Sequence, residues 1–393
     1  MKIIKKIRKI SKIIYLVIAI LIATIIFTNL LSDSVEISSI DFIGEATLAK
    51  GLLFQKTEVG GLSGITYDAK NDLYYAISDD RGQKAPARFY TFKIDLSQGS
   101  LKNSGVMPVG VTMLLNNQGQ NFPAGATDTE GIALTDKDTV FISSEGNADQ
   151  LINPFIQEFS LSSGRTITTL PIPKKFLPDK NNQFGIRDNL AFESLTITPN
   201  HQYLFTATEN ALKQDGPATQ PNIGTPCRIL QYNLFTQKPE KEYLYQTEPI
   251  ASFFNITGKF ASGLPDLLSL DNHGHFLTIE RSFTGLGFAV FLFEISLNAA
   301  DDIHNINSLL TVNFPKIKPV AKKLLLDLRT LDVALDNIEG LTLGPWLPNG
   351  QRSLIMVSDN NFNSIQRTQF LAFQLKIDPP ILRWFRRIFN FSA

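Results

Sequence analysis

The sequence predicts an all-β fold, a β-propeller standing behind an N-terminal membrane-spanning helix. Three observations carry that expectation: a strand–turn–strand unit that recurs five times, an alternating apolar strand after each unit, and a spare strand ahead of the first. Fixed recurrence of one supersecondary unit is the signature of a repeat architecture, in which each unit buries its apolar face only against its neighbours.

The first strand of each unit opens at Ser63, Glu130, Glu193, Asp266 or Glu339, as in Thr129-Glu130-Gly131-Ile132-Ala133 and Ile338-Glu339-Gly340-Leu341-Thr342. Turns such as Thr198-Pro199-Asn200-His201 and Asp271-Asn272-His273-Gly274 follow. Their residues accept turn geometry and bond to their own backbone. The second strand ends in an acid: Asp79, Glu145, Glu209, Glu280 or Asp359. The third alternates large apolar residues, as at Phe92, Ile94 and Leu96 or Leu371, Phe373 and Leu375. Period two is what a half-buried strand requires. A less regular fourth strand fits at 111–115, 166–170, 243–246 and 324–328, and 40–48 is placed to close the last blade. The markers stand 63 to 73 residues apart, which implies long loops. Five blades are expected, with room for a sixth in 298–336. Sandwiches and barrels also have many short strands, but not one order of features repeated five times.

Lysines and arginines crowd residues 1–12, and an uncharged run of Ile, Leu, Val and Ala fills 13–31. About 20 apolar residues cross a bilayer as a helix. Its basic flank is expected to remain cytoplasmic, which puts the propeller, 36–378, on the periplasmic or extracellular side. The run ends Phe27-Thr28-Asn29-Leu30-Leu31, a poor cleavage site, so an anchor is favoured over a signal peptide. Residues 379–393 form a basic aromatic tail suited either to the membrane surface or to packing on the propeller.

The 37 basic and 37 acidic residues cancel, so nothing draws the chain to nucleic acid. The single cysteine, Cys227, excludes an internal disulfide framework and a cysteine-rich metal site. The four histidines fall in turns or loops, and no nucleophile elbow or phosphate loop occurs.

What remains is the carboxylates. A first strand that starts where its antiparallel partner ends brings both markers to one edge. Asp79, Asp80, Glu130, Glu145, Glu193, Glu209, Glu280, Glu339 and Asp359 are therefore candidate ligands at one channel mouth, with Arg81 and Arg281 beside them. Clustered carboxylates repel, and an all-oxygen set suits calcium or magnesium. Acids at strand ends also serve as turn caps, so each pair alone carries little.

Gly61-Leu62-Ser63-Gly64-Ile65-Thr66-Tyr67-Asp68 with Ile77-Ser78-Asp79-Asp80-Arg81-Gly82, then Asp128-Thr129-Glu130-Gly131-Ile132 with Ser144-Glu145-Gly146-Asn147, resemble the phytase-like domain family, named for an esterase-like activity of phytase. Phe192-Glu193-Ser194-Leu195 with Thr208-Glu209-Asn210, and Asn337-Ile338-Glu339-Gly340-Leu341 with Ser358-Asp359-Asn360, extend the resemblance over 60–375. It implies a propeller, an exported location and hydrolysis of a phosphoric or carboxylic ester. By their place at the rim, Arg81, Glu145, Glu193, Glu209 and Arg281 are the residues expected to act on a small-molecule ester. A non-catalytic binding or scaffolding propeller at the membrane, and a lactonase-like enzyme, are the alternatives.

Overall fold

The computed structural model describes residues 35–250 and 261–377, except 284, 286 and 313, together with a few helical positions between 14 and 23. Among the described residues no helix is long and apolar enough to cross a membrane. Most of the expected anchor at 13–31, and the tail at 379–393, lie outside the described residues.

Five four-stranded antiparallel sheets form the blades. Blade 1 comprises Leu62–Asp68, Leu73–Ser78, Arg88–Ile94 and Val106–Met113, and blade 2 comprises Thr129–Leu134, Thr139–Ser144, Phe155–Ser160 and Thr166–Leu170. Thr196–Ile197, Tyr203–Ala207, Pro226–Asn233 and Lys238–Gln246 make blade 3, and Ala261–Ser269, His275–Phe283, Phe288–Ser296 and Ala321–Asp327 make blade 4. Blade 5 takes Asn337–Trp346, Arg352–Asp359 and Gln369–Ile377 from the C-terminal side and Ile37–Thr47 from the N-terminal side. The N-terminal strand runs antiparallel along the third strand, from Ile37 opposite Ile377 to Thr47 opposite Gln369. The spare strand thus closes the ring.

Segment 298–336 holds no sixth blade. It carries the outer strand of blade 4 and three short 3-10 turns. Part of it lies along the outer strand of blade 3, where Ile303 N donates to Glu242 O and Val320 N to Leu244 O. An otherwise open sheet edge is covered in this way.

The first strands of successive blades touch one another all the way round the axis. Five apolar clusters then fill the five wedges between blades. Phe92 of blade 1 meets Phe370 of blade 5 edge-on at 5.4 Å, and Phe205 meets Phe276 at 4.8 Å between blades 3 and 4. Alternation on the middle strands supplies these wedges, because side chains leave both sheet faces and each face meets a neighbouring blade.

Candidate functional site

Each innermost strand is broken at its marker. The ladder slips between Leu62 and Gly64, between Thr129 and Ile132, between Gly263 and Asp266, and between Ile338 and Gly340. In blade 3 an isolated bridge, Phe192 to Thr208, precedes the resumed pairing of Thr196 with Phe205. Such bulges re-aim a side chain out of the sheet plane. Glycine follows the marker where backbones nearly touch: a Cβ on Gly64 would lie 2.5 Å from Glu130 O, and one on Gly131 2.7 Å from Leu195 N.

The re-aimed acids open into a cavity of about 530 Å³ at one end of the channel. Asp79, Asp80, Asp128, Glu130, Glu193, Glu209, Glu339 and Asp359 line it, drawn from blades 1, 2, 3 and 5 and the loops that lead into them. Arg81, Lys84 and Arg281 are the cations at its wall. The expected histidine turns lie elsewhere: His201 lines a second cavity formed by the far ends of the first strands, and His273 a crevice between blades 3 and 4.

Every one of these cations is already engaged. Arg281 of blade 4 reaches Glu209 Oε1 of blade 3 at 2.7 Å and Glu339 Oε1 of blade 5 at 3.1 Å, and donates to Asn337 Oδ1 at 2.6 Å. Arg81 spans to Asp128 Oδ2 at 2.6 Å and to Asn189. Lys84 binds Glu58 Oε2 at 2.7 Å and stands over the Phe362 ring. Asp80 is turned to the buried guanidinium of Arg88.

Asp79 and Glu130 differ. Both line the cavity, Glu130 is 6% exposed, and among the described residues no donor or cation bonds to either carboxylate. Carboxylate oxygens of Asp128, Glu130 and Glu145 all lie within 4.8 Å of one another. Behind Glu130, Glu145 accepts from Ala191 N and stands beside Glu193. Burial raises Glu145 to about 8 and Asp359 to about 6. Burial first, and neighbouring carboxylates second, push Asp79, Glu130 and Glu193 well above the usual range. Burial raises Glu209 as well, against the opposing pull of Arg281.

Glu280 does not line the cavity. Its carboxylate accepts from Lys322 Nζ at 2.6 Å, Tyr245 OH at 2.7 Å and Glu248 N at 2.8 Å. Its counterpart Asp266 accepts from Leu267 N and Leu341 N, stitching blade 4 to blade 5. Blade 4 therefore contributes Arg281 rather than an acid. Asp128, Asn189 and Asn337 join the site beyond the marker pattern. Asp128 and Asn337 each stand two residues before a marker.

The family model described as Phytase-like, esterase-like activity of phytase, matches residues 57–362. The chain belongs to the phytase-like family. A search of curated proteins gave no match to this phytase-like chain. Among solved structures it is similar to an endo-arabinase from Bacteroides thetaiotaomicron, with 12% identity, a TM-score of 0.42, and coverage of 82% of this chain and 96% of that one. A hydrazine synthase from Kuenenia stuttgartiensis matches at 10% identity and a TM-score of 0.33, over 80% of this chain and 62% of that one. The tail fiber of Staphylococcus aureus phage P68 matches at 11% and 0.40, over 89% and 56%.

Proposed function

We propose that the chain is an extracytoplasmic hydrolase of a phosphoric or carboxylic ester, working in the acidic cavity with a hard divalent cation. One observation carries the reading: eight carboxylates from four blades converge on one cavity, and among the described residues Asp79, Glu130, Glu193 and Asp359 pair with no cation. The donor set fits calcium or magnesium, since it is all oxygen and offers three carboxylates within 4.8 Å. Asp128, Glu130 and Glu145 would hold the ion, with Asp79, Glu193, Glu209, Glu339 and Asp359 around it. When bound, such an ion withdraws electrons from an ester oxygen and acidifies water. The protein's own part is proton handling and orientation. Glu193, raised by burial and by the neighbouring carboxylates, reaches the cavity wall, where it would hold a proton available to a leaving oxygen. Arg81, the more exposed of the two arginines, orients the substrate, whereas Arg281 holds three blades together.

On the same reading residues 13–31 anchor the chain with 1–12 in the cytoplasm. The test is an assay of the full chain in detergent on phytate, aryl phosphates and aryl acetates, with calcium or magnesium and with chelator. Ion-dependent turnover that falls at least tenfold in Glu130→Gln and Glu193→Gln is expected. No turnover on any ester, or turnover indifferent to chelation, refutes it. Calcium should also raise the melting temperature, since an ion at 100 times its Kd stabilises the folded state by about 2.7 kcal/mol.

A further inference from the structure

The two ends of each blade differ in kind, and the N-terminal connection leaves from one of them. Val35 N donates to Asp271 Oδ2 at 2.8 Å, and Asp271 also receives His275 Nδ1 at 2.7 Å. Asp271 sits in the turn between the first two strands of blade 4, at the end opposite the carboxylate cavity. Ile37 pairs with Ile377, so the strand entering the propeller and the strand leaving it meet at that same end. Phe235, 96% exposed, is in the turn joining the third and fourth strands of blade 3, again at that end. Exposed Lys238 and Lys241 lie just beyond it.

Only three residues separate Leu31, the last of the apolar run, from Val35. A fully extended chain covers about 3.5 Å per residue, so the reach from Leu31 to Val35 is at most about 14 Å. A surface that close to a bilayer, carrying an exposed aromatic ring with lysines beside it, matches an interfacial contact. The eight residues of Arg352–Asp359 run between the two ends, about 26 Å at strand rise.

We propose that the end bearing Val35, Phe235 and the blade 4 turn rests on the lipid surface, and that the carboxylate cavity opens away from it into the aqueous phase. The inference rests on the anchor reading above. It assigns the substrate to the soluble esters that arrive from solution, not to lipids presented in the membrane plane.

The chain suits a direct test, because Cys227, its one cysteine, is fully buried. Full-length Gln237→Cys and Ser364→Cys variants, one at each end, are labelled with an environment-sensitive fluorophore. They are reconstituted in vesicles of phosphatidylcholine and phosphatidylglycerol containing nitroxide-labelled lipid. Quenching of the label at 237 by at least half, with the label at 364 unquenched, is expected. Phe235→Trp, read as the emission added to that of Trp346 and Trp384 in the unsubstituted chain, gives a second probe that needs no label. Quenching at 364 but not at 237, or at neither in protein that resists carbonate extraction, overturns the orientation. Release of the chain by carbonate removes the anchor and the orientation together, while leaving the hydrolase assay to stand by itself.

Discussion

Arg281→Met removes a positive charge held between two carboxylates of different blades. Its guanidinium lies 2.7 Å from Glu209 and 3.1 Å from Glu339, with the side chains 13%, 4% and 10% exposed. Methionine keeps much of the volume, so the loss is chiefly electrostatic. A buried pair stripped of one partner costs about 3–5 kcal/mol. The stranded carboxylate has one escape, which is to bind a proton. Relative to the ordinary glutamate value of 4.5, that escape costs about 1.4 kcal/mol per pH unit, or about 0.7 kcal/mol at pH 5 and about 4.8 kcal/mol at pH 8 for each group. Removal of the arginine moves the folded-state pKa of both acids further above their unfolded values. The folded variant then binds more protons than its unfolded chain. Its deficit is absent below about pH 4.5 and grows as pH rises towards the raised folded value. Urea unfolding in chelator should therefore show a deficit of about 3–5 kcal/mol at pH 8 that shrinks to about 1–2 kcal/mol at pH 5. Arg281→Lys, which keeps the charge but not the two-armed reach, should fall between. A deficit under about 1 kcal/mol at pH 8, or one equal at both pH values, would refute the assignment of Arg281 as the brace of three blades.

Chelated wild-type protein should lose stability as pH climbs from about 5 to about 8, because Asp359 is raised to about 6 and Glu145 to about 8 by burial, so the folded state holds protons that the unfolded chain has released. Calorimetry checks this, and rising stability over that range contradicts it. Gly131→Ala places a Cβ 2.7 Å from Leu195 N and 2.8 Å from Ser194 C of the next blade, and should cost about 1–3 kcal/mol by urea titration. Lys322→Met strands Glu280 and should destabilise by about 3 kcal/mol while leaving calcium affinity, read by calorimetric titration, unchanged. A weakened affinity would return Glu280 to the cation site.

The ring of blades was legible because its signals are local. Turn residues, period-two strands and the closing strand at the N-terminus are each written in short stretches, and the same order five times over leaves little freedom. The carboxylates at Asp79, Glu130, Glu193, Glu209, Glu339 and Asp359 were legible as a set for the same reason, since hairpin geometry puts both ends of a strand pair at one edge. What each carboxylate does there was not. Glu280 fits the repeat as well as Glu209 does, yet Lys322 from the outer strand of its own blade and Tyr245 from the outer strand of blade 3 claim it. Arg281 is recruited by acids on two other blades. Such partners are 35 to 72 residues away along the chain, and their choice depends on side-chain length and on the angle between blades. The bulges are equally silent, because a bulge adds a residue without changing which types surround it. Asp128 and Asn337 did leave a trace, as polar residues two places before a marker.

The pairing of Ile37–Thr47 with Gln369–Ile377 joins the two ends of a ring whose other blades are each made from one continuous stretch. Four blades can form as the chain emerges, but blade 5 waits for its last strand, and until then the first and fourth blades each keep an open wedge. Closing the ring joins strands more than three hundred residues apart, a contact that costs more chain entropy than the hairpins within the other blades. Truncation before Gln369 would therefore free the N-terminal strand as well as remove one strand. The time a nascent chain spends unclosed, rather than its final stability, sets how much of its apolar surface other chains can reach.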